Sequence, residues 1–146
     1  MIRAVKLSDI ENLSLLFNAY RVFYEKPSDI EQAKVFLTDR ITKNESVIYI
    51  SENEDSVMNG FVQLYPLFSS TRMRRLWLLN DLFVSEKYRG KGISIQLIEK
   101  AKSLCLDTDA CGLILETAKK NKIGNQLYPK VGFELDNDHN YYSWDS

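Results

Sequence analysis

Between an apolar run ending at Val84 and a helical pattern opening at Ile93 lies Arg89-Gly90-Lys91-Gly92-Ile93-Ser94. A glycine-rich turn that opens a helix presents unpaired main-chain N–H groups, reinforced by the positive end of the helix. Glycine keeps a Cβ out of the way, so the turn suits phosphate or pyrophosphate, although a Gly-x-Gly by itself is more often an ordinary tight turn. Two familiar phosphate patterns do not fit. A dinucleotide fingerprint needs a small residue at position 95, which is Ile, and a P-loop needs Ser or Thr after Gly-Lys, where Gly92 follows Lys91. A second segment, Asn121 to Phe133, sets Tyr128 in a short helical stretch that ends in Gly132-Phe133. Histidine and thiol chemistry is poorly supplied. The lone His139 and the pair Cys105 and Cys111 match no zinc spacing, so no metal is expected. A nucleophile–histidine site would have to run through His139, in the polar stretch Asp136 to Asn140.

The elements that must position these residues can be read from periodicity. The chain has 146 residues, with 19 Lys+Arg against 20 Asp+Glu for a net charge of −1. That size suits one domain, residues 1–146, and the charge balance gives no field for nucleic acid. No apolar run approaches the ~18 residues of a membrane span, the N-terminus shows no signal-peptide pattern, and two cysteines are too few for a disulfide framework. A cytoplasmic protein with no membrane partner is expected. Met1 to Val5 reads as a strand, and Ser8-Asp9-Ile10-Glu11 as a capping box opening a helix through Ile10, Leu13, Phe17, Tyr20 and Tyr24. Ser28-Asp29-Ile30-Glu31 repeats the box before a second helix through Ala33, Leu37 and Ile41. Strands follow at Val47–Ser51, Asn59–Tyr65 and Leu76–Val84, with a loop from Pro66 to Arg74. A helix from Ile93 to Cys105, a strand from Leu113 to Glu116 and a helix from Asn121 to Val131 come next. Phe133–Leu135 and Asn140–Trp144 are expected as two closing strands. Three consecutive strands predict an antiparallel meander, and strand–helix–strand around residues 80–116 predicts one parallel crossover. The fold class is therefore α+β, with a mixed, mostly antiparallel sheet flanked by about four helices.

Arg89, Gly92 and Ser94 spell Arg-x-x-Gly-x-Gly/Ala with Ser at the last small position. With Asn121, Leu127, Tyr128, Gly132 and Phe133, the chain resembles the GNAT superfamily of N-acetyltransferases in both motifs, their order and their separation. Two positions depart from the pattern, Ser94 for Gly/Ala and Gly124 for Ala, both mild in size. The resemblance implies acetyl-CoA as cosubstrate and a splayed sheet. The strand at 76–84 would part from that at 113–117, leaving main-chain groups of Leu82, Phe83 and Val84 to pair with the pantetheine arm. Gly90, Lys91, Gly92, Ile93, Ser94 and Asn121 would join Arg89 at the cofactor. Lys91 and the cluster Lys119, Lys120, Lys122 either meet its phosphates or form a solvated face.

The implied reaction is direct transfer of acetyl to a primary amine, with Tyr128 as general acid. An alkyl ammonium of pKa ~10.4 is deprotonated in about one molecule in ~2,500 at pH 7, so a base is needed. Asn80-Asp81-Leu82-Phe83-Val84 is similar to the segment that carries an acidic pair in polyamine-type members. With Asn80 in the first acidic place, Asp81 is the remaining candidate base, or else a structural carboxylate. Tyr20, Tyr24 and Glu25, with Asn80, are candidate acceptor contacts suited to a polyamine, diamine or amino acid, although Tyr20 also fits a core position. Arg72, Arg74 and Arg75 could instead receive a carboxylate. Two alternatives stay open, a non-catalytic acyl-CoA sensor and a protein or peptide acetyltransferase. The aromatic run Tyr141-Tyr142-Ser143-Trp144 is either a homodimer contact or an edge strand.

Overall fold

The computed structural model describes residues 1–146, which form two compact units, Met1–Leu115 and Glu116–Ser146. The first unit contains β1 (Ile2–Ala4), α1 (Ile10–Phe23), α2 (Ile30–Thr42), β2 (Val47–Glu52), β3 (Met58–Ser69), β4 (Arg74–Val84), α3 (Ile93–Asp107) and β5 (Leu113–Ile114). The second contains α4 (Lys122–Lys130). The five strands lie in sequence order, antiparallel from β1 to β4 and parallel between β4 and β5. The fold is mixed α+β, as the meander and the single crossover predict.

Strand alternation divides the first unit's core between the two faces of the sheet. Leu13, Leu16 and Phe17 of α1 and Ala33 and Leu37 of α2 pack with Ile48, Ile50, Phe61 and Phe83. The opposite face takes α3, which buries Leu97, Ile98, Ala101 and Cys105. Gly60 sets how close α3 can come. A Cβ there would meet Ile93 Cγ2 and Leu97 Cδ1 at 3.3 Å and the Phe83 carbonyl at 3.1 Å. A glycine inside a strand pattern often marks such a close approach. Here it brings the first turn of α3 onto the sheet beside the end of β4.

Several boundaries differ from expectation, each for a physical reason. β3 and β4 form a long hairpin through Ser69 and Arg74 instead of a loop from Pro66. Pro66 is tolerated because β2 ends its pairing at Val47↔Leu64, so β3 is an edge at that point on the β2 side. Asp29, not Ser28, caps α2 and accepts from the Gln32 N–H at 3.0 Å. A short 3-10 turn, Leu7–Asp9, precedes α1 where Ser8 was expected to cap it, and the Asp9 carboxylate accepts from the Lys6 N–H at 2.7 Å. Neither C-terminal strand forms. Residues 133–146 carry no regular structure, and Leu135, Tyr141, Tyr142 and Trp144 are exposed. Alternating apolar residues make a strand only where a partner strand accepts their hydrogen bonds. The segment instead turns about Asp136, whose Oδ1 accepts the N–H groups of Asp138 and His139.

No helix is long and apolar enough to cross a membrane, and no three His, Cys, Asp or Glu side chains gather where they could hold a metal ion.

The open end of the sheet is tied by Arg3. Its guanidinium makes paired hydrogen bonds to Asp9 at 2.8 Å and to Glu52 at 2.9 and 2.7 Å, joining β1, β2 and the turn before α1. Hydrogen bonding to Arg3 holds the Asp9 carboxyl below the usual carboxylate range. Asp9→Asn is therefore expected to cost about 1–2 kcal/mol at pH 7 in urea melts. A depressed folded pKa stabilises fully above the unfolded value of ~3.9 and loses that contribution as pH falls through the folded value. The gap between wild type and variant should narrow below about pH 4.

Candidate functional site

β5 covers only the start of β4. Pairing runs through Trp77↔Leu113 and Leu78↔Ile114 and stops there, so the edge from Leu79 to Val84 has no partner strand. The Ser85 N–H donates to the Asn59 carbonyl at 2.9 Å, which makes that pair a hydrogen-bonded one and fixes the alternation behind it. Phe83, opposite Phe61, therefore spends its main-chain groups on β3, while Leu82 and Val84 turn theirs to the bare edge. Of the three residues expected to offer main-chain groups there, register leaves two. The Val84 carbonyl already accepts from Arg89 Nε at 2.9 Å.

The turn expected to bind an anion follows directly. After a 3-10 turn, Glu86–Tyr88, Gly90 and Gly92 take φ of +75° and +77°, the left-handed region that favours glycine. Gly92 is the N-cap of α3, and no side chain caps that helix. The N–H groups of Ile93, Ser94 and the next residue thus point out of the helix without an intrahelical partner. A Cβ built on Gly90 or Gly92 would meet no protein atom within 4 Å, so the cradle is open. Lys91 and Lys87 lie over the Tyr88 ring at 5.4 and 4.9 Å from its centroid to their Nζ atoms. Arg89 is different. Its guanidinium sits 5.0 Å from the Phe23 ring and 5.5 Å from the Phe83 ring, so its head is a strut between β4 and the end of α1.

Asp81 lies at a β-bulge. Gln63 pairs with Asp81 and Leu64 with Leu79, leaving Asn80 as the extra residue, exposed to solvent. Asp81 is only 5% exposed, and both its oxygens are engaged, Oδ2 by Gln63 Nε2 at 2.7 Å and Oδ1 by Asn80 Nδ2 at 3.1 Å. Ser46 completes the chain by donating to Gln63 Oε1 at 2.8 Å. Burial, with Asp81 near by, pushes the Tyr65 phenol up to about 12. Gln63 and Ser46 went unread in the sequence, although a polar residue inside the apolar run Phe61-Val62-Gln63-Leu64 was a signal. Tyr20 is half-buried against Phe17, Phe61 and Phe83, with its ring edge-on to Tyr24 at 5.0 Å. Tyr24 and Glu25 are exposed, and Glu25 takes φ +62° in the bend after α1. Arg72 and Arg74 are held by main-chain and side-chain groups of residues 109–111, and Arg75 lies over Phe68 and Trp77.

The second unit builds Tyr128 into α4. Asn121 caps the helix, accepting from the Gly124 N–H at 3.1 Å and donating to Thr117 Oγ1 at 2.8 Å. A Cβ at residue 124 would lie 2.5 Å from Asn121 Nδ2, so glycine in place of alanine follows from the seating of the cap. Tyr128 is half-buried, and its ring meets Phe133 edge-on at 5.7 Å. Lys119, Lys120 and Lys122 are exposed around the start of α4. His139 is exposed in the C-terminal segment with Nδ1 2.8 Å from Asp136 Oδ2.

A bare strand edge beside an uncapped glycine turn fits an extended amide chain ending in phosphates, and the sequence profile of the acetyltransferase (GNAT) domain matches residues 44–135. The chain belongs to the GNAT acetyltransferase family. This GNAT protein is 42% identical over 141 residues to the uncharacterized N-acetyltransferase YhfO of Bacillus subtilis (strain 168), covering 97% of this chain and 94% of that protein. The crystal structure of a probable acetyltransferase, 33% identical, superposes with a TM-score of 0.95 over 100% of this chain and 97% of the other. A thialysine N-epsilon-acetyltransferase of Sus scrofa is 31% identical over 81 residues, 56% of this chain and 47% of that one. The GNAT chain is accordingly an N-acetyltransferase.

The Asp81 network carries a direct structural consequence. Gln63→Leu removes the donor to a buried carboxylate oxygen and is expected to cost about 1–3 kcal/mol in urea unfolding. The same substitution in an Asp81→Leu background should cost much less, because no orphaned charge remains.

Proposed function

We propose that this N-acetyltransferase binds acetyl-CoA at the bare edge of β4 and the turn before α3, and transfers its acetyl group to the primary amine of a small molecule. The observation that carries the reading is the meeting of these two features. Leu82 and Val84 turn main-chain groups outward at the point where the strand runs, through Arg89, into the glycine turn. Leu82 and the Val84 N–H can take the amides of pantetheine as a pseudo-strand. The main chain from Gly90 to Ser94, helped by the end of α3, holds the pyrophosphate, with the Ser94 hydroxyl as an added donor and Lys91 as the nearby cation. Acetyl-CoA supplies an acyl group activated as a thioester, so that attack by the amine forms a C–N bond and breaks the C–S bond.

The chain's residues then handle two protons. Tyr128 gives its phenolic proton to the departing thiolate, whose parent thiol has a pKa near ~8.5, and is restored by the second proton that the adduct nitrogen sheds as the amide forms. The incoming ammonium must lose a proton at a cost of roughly 4–5 kcal/mol at pH 7. Asp81 is the one carboxylate of β4, and its Oδ1 is bonded to the exposed Asn80. We assign it the amine's proton, passed by way of water on the Asn80 side of the bulge. The exposed Tyr24 and Glu25, with Asn80, suit a cationic acceptor with an apolar stem, a polyamine, diamine or amino acid. The relative named for the ε-amine of thialysine supports that class.

The test is thiol release from acetyl-CoA across a panel of small amines. Amine-dependent release supports transfer to a small molecule, while binding without release would overturn the small-amine acceptor. Tyr128→Phe is expected to lower kcat by about 10- to 100-fold with acetyl-CoA affinity kept. Asp81→Asn should be slow at neutral pH and regain rate about tenfold per pH unit up to the amine's own pKa. A variant profile that keeps the wild-type acidic limb would remove Asp81 from the role.

A further inference from the structure

The Gly132-Phe133 pair at the end of the second motif has a geometry of its own. Counting back from Gly132, whose φ is +94°, Tyr128 is the fourth residue before the left-handed position. The Phe133 N–H donates to the Tyr128 carbonyl at 3.0 Å, and the Gly132 N–H to the Pro129 carbonyl at 3.1 Å. These are the two bonds of a Schellman cap, in which an apolar contact often joins the residue after the glycine to the third residue from the helix end. Here that contact is the edge-on pair of Phe133 and Tyr128 rings, 5.7 Å apart at 74°. Pro129 adds a constraint by fixing its own φ directly after the tyrosine.

We propose that Phe133 and Gly132 are positioning residues for Tyr128, the helix stop being built so that the cap aims and immobilises the phenol. This rests on the reading of Tyr128 as the acid. The cap acts on both ends of the side chain's freedom. The main-chain bond fixes where Cα sits, and the Phe133 ring limits rotation about the side-chain bonds. Gly132 is required because a Cβ at φ +94° would strain the turn that delivers both. The Leu-Tyr-x-x-x-Gly-Phe spacing is then the spacing of the cap: the glycine must fall four residues after the tyrosine and the phenylalanine five.

The test is a double-mutant cycle on kcat with Tyr128→Phe, Phe133→Ala and the pair, at saturating acceptor. Phe133→Ala is expected to lower kcat about tenfold with the KM for acetyl-CoA changed less than twofold. In the Tyr128→Phe background it should cause no further loss beyond twofold. Equal losses in both backgrounds, or no loss from Phe133→Ala alone, would overturn the proposal. Wild-type turnover in Tyr128→Phe would instead sink the acid itself, an outcome read from that single variant. Phe133→Leu, which keeps an apolar side chain and the main-chain bond, guards against misfolding. In its NMR spectrum the Tyr128 ring resonances should shift as the Phe133 ring current disappears, and unmoved resonances would contradict the contact.

Discussion

A β-strand buried in a sheet must find partners for the polar groups on both of its edges, and beyond Leu78 β4 has a partner strand on one edge only. β5 leaves it after Leu78, six residues before the strand ends at Val84. Everything distinctive in the first unit is arranged around that bare stretch. Gly60 brings α3 down onto the sheet beside it, and the Arg89 side chain donates to the Val84 carbonyl. The glycine turn then opens where the strand stops. Phe61, Phe83 and Tyr20 fill the α1 and α2 face behind it with aromatic contacts, which stiffen the strand without using its outer edge.

The charges follow the same division. With 19 basic and 20 acidic residues the chain has no general attraction for an anion, so recognition must be local. The uncapped start of α3 supplies main-chain donors and partial positive charge, and Lys91 is held near by over Tyr88. Arg89, the one arginine in the motif, puts its head between two aromatic rings. On the opposite side of the strand's chemistry, Asp81 is held in a buried amide network whose outermost member, Asn80, is the bulged residue.

Much of this was legible in the residues. The meander, the crossover, the glycine turn and the helix bearing Tyr128 all follow from local periodicity and from residues whose conformations are restricted. What was not legible depends on partners distant in sequence. The run Leu76 to Val84 shows a buried strand, but nothing in it says that β5 would be two residues long. Asn140 to Trp144 has the composition of a strand and lies exposed, because composition cannot supply a neighbour. Pro66 suggested a loop, and the register of β2 made its position a free edge. Gly124 looked like a mild departure from a family pattern until the side chain of Asn121 was seen in the space a methyl would need. The roles of Arg89 and Gly132 lie in contacts that spacing alone does not reveal.

Amide hydrogen exchange read residue by residue at Leu82 and Val84, with and without saturating coenzyme A, probes the β4 edge most directly. Pairing of the cosubstrate's amide arm with the strand predicts that both N–H groups slow by at least about tenfold when the coenzyme is added, while the Phe83 N–H, already bonded to β3, changes little. Unchanged exchange at Leu82 and Val84 in millimolar coenzyme A would mean that the bare edge is not where the cosubstrate lies.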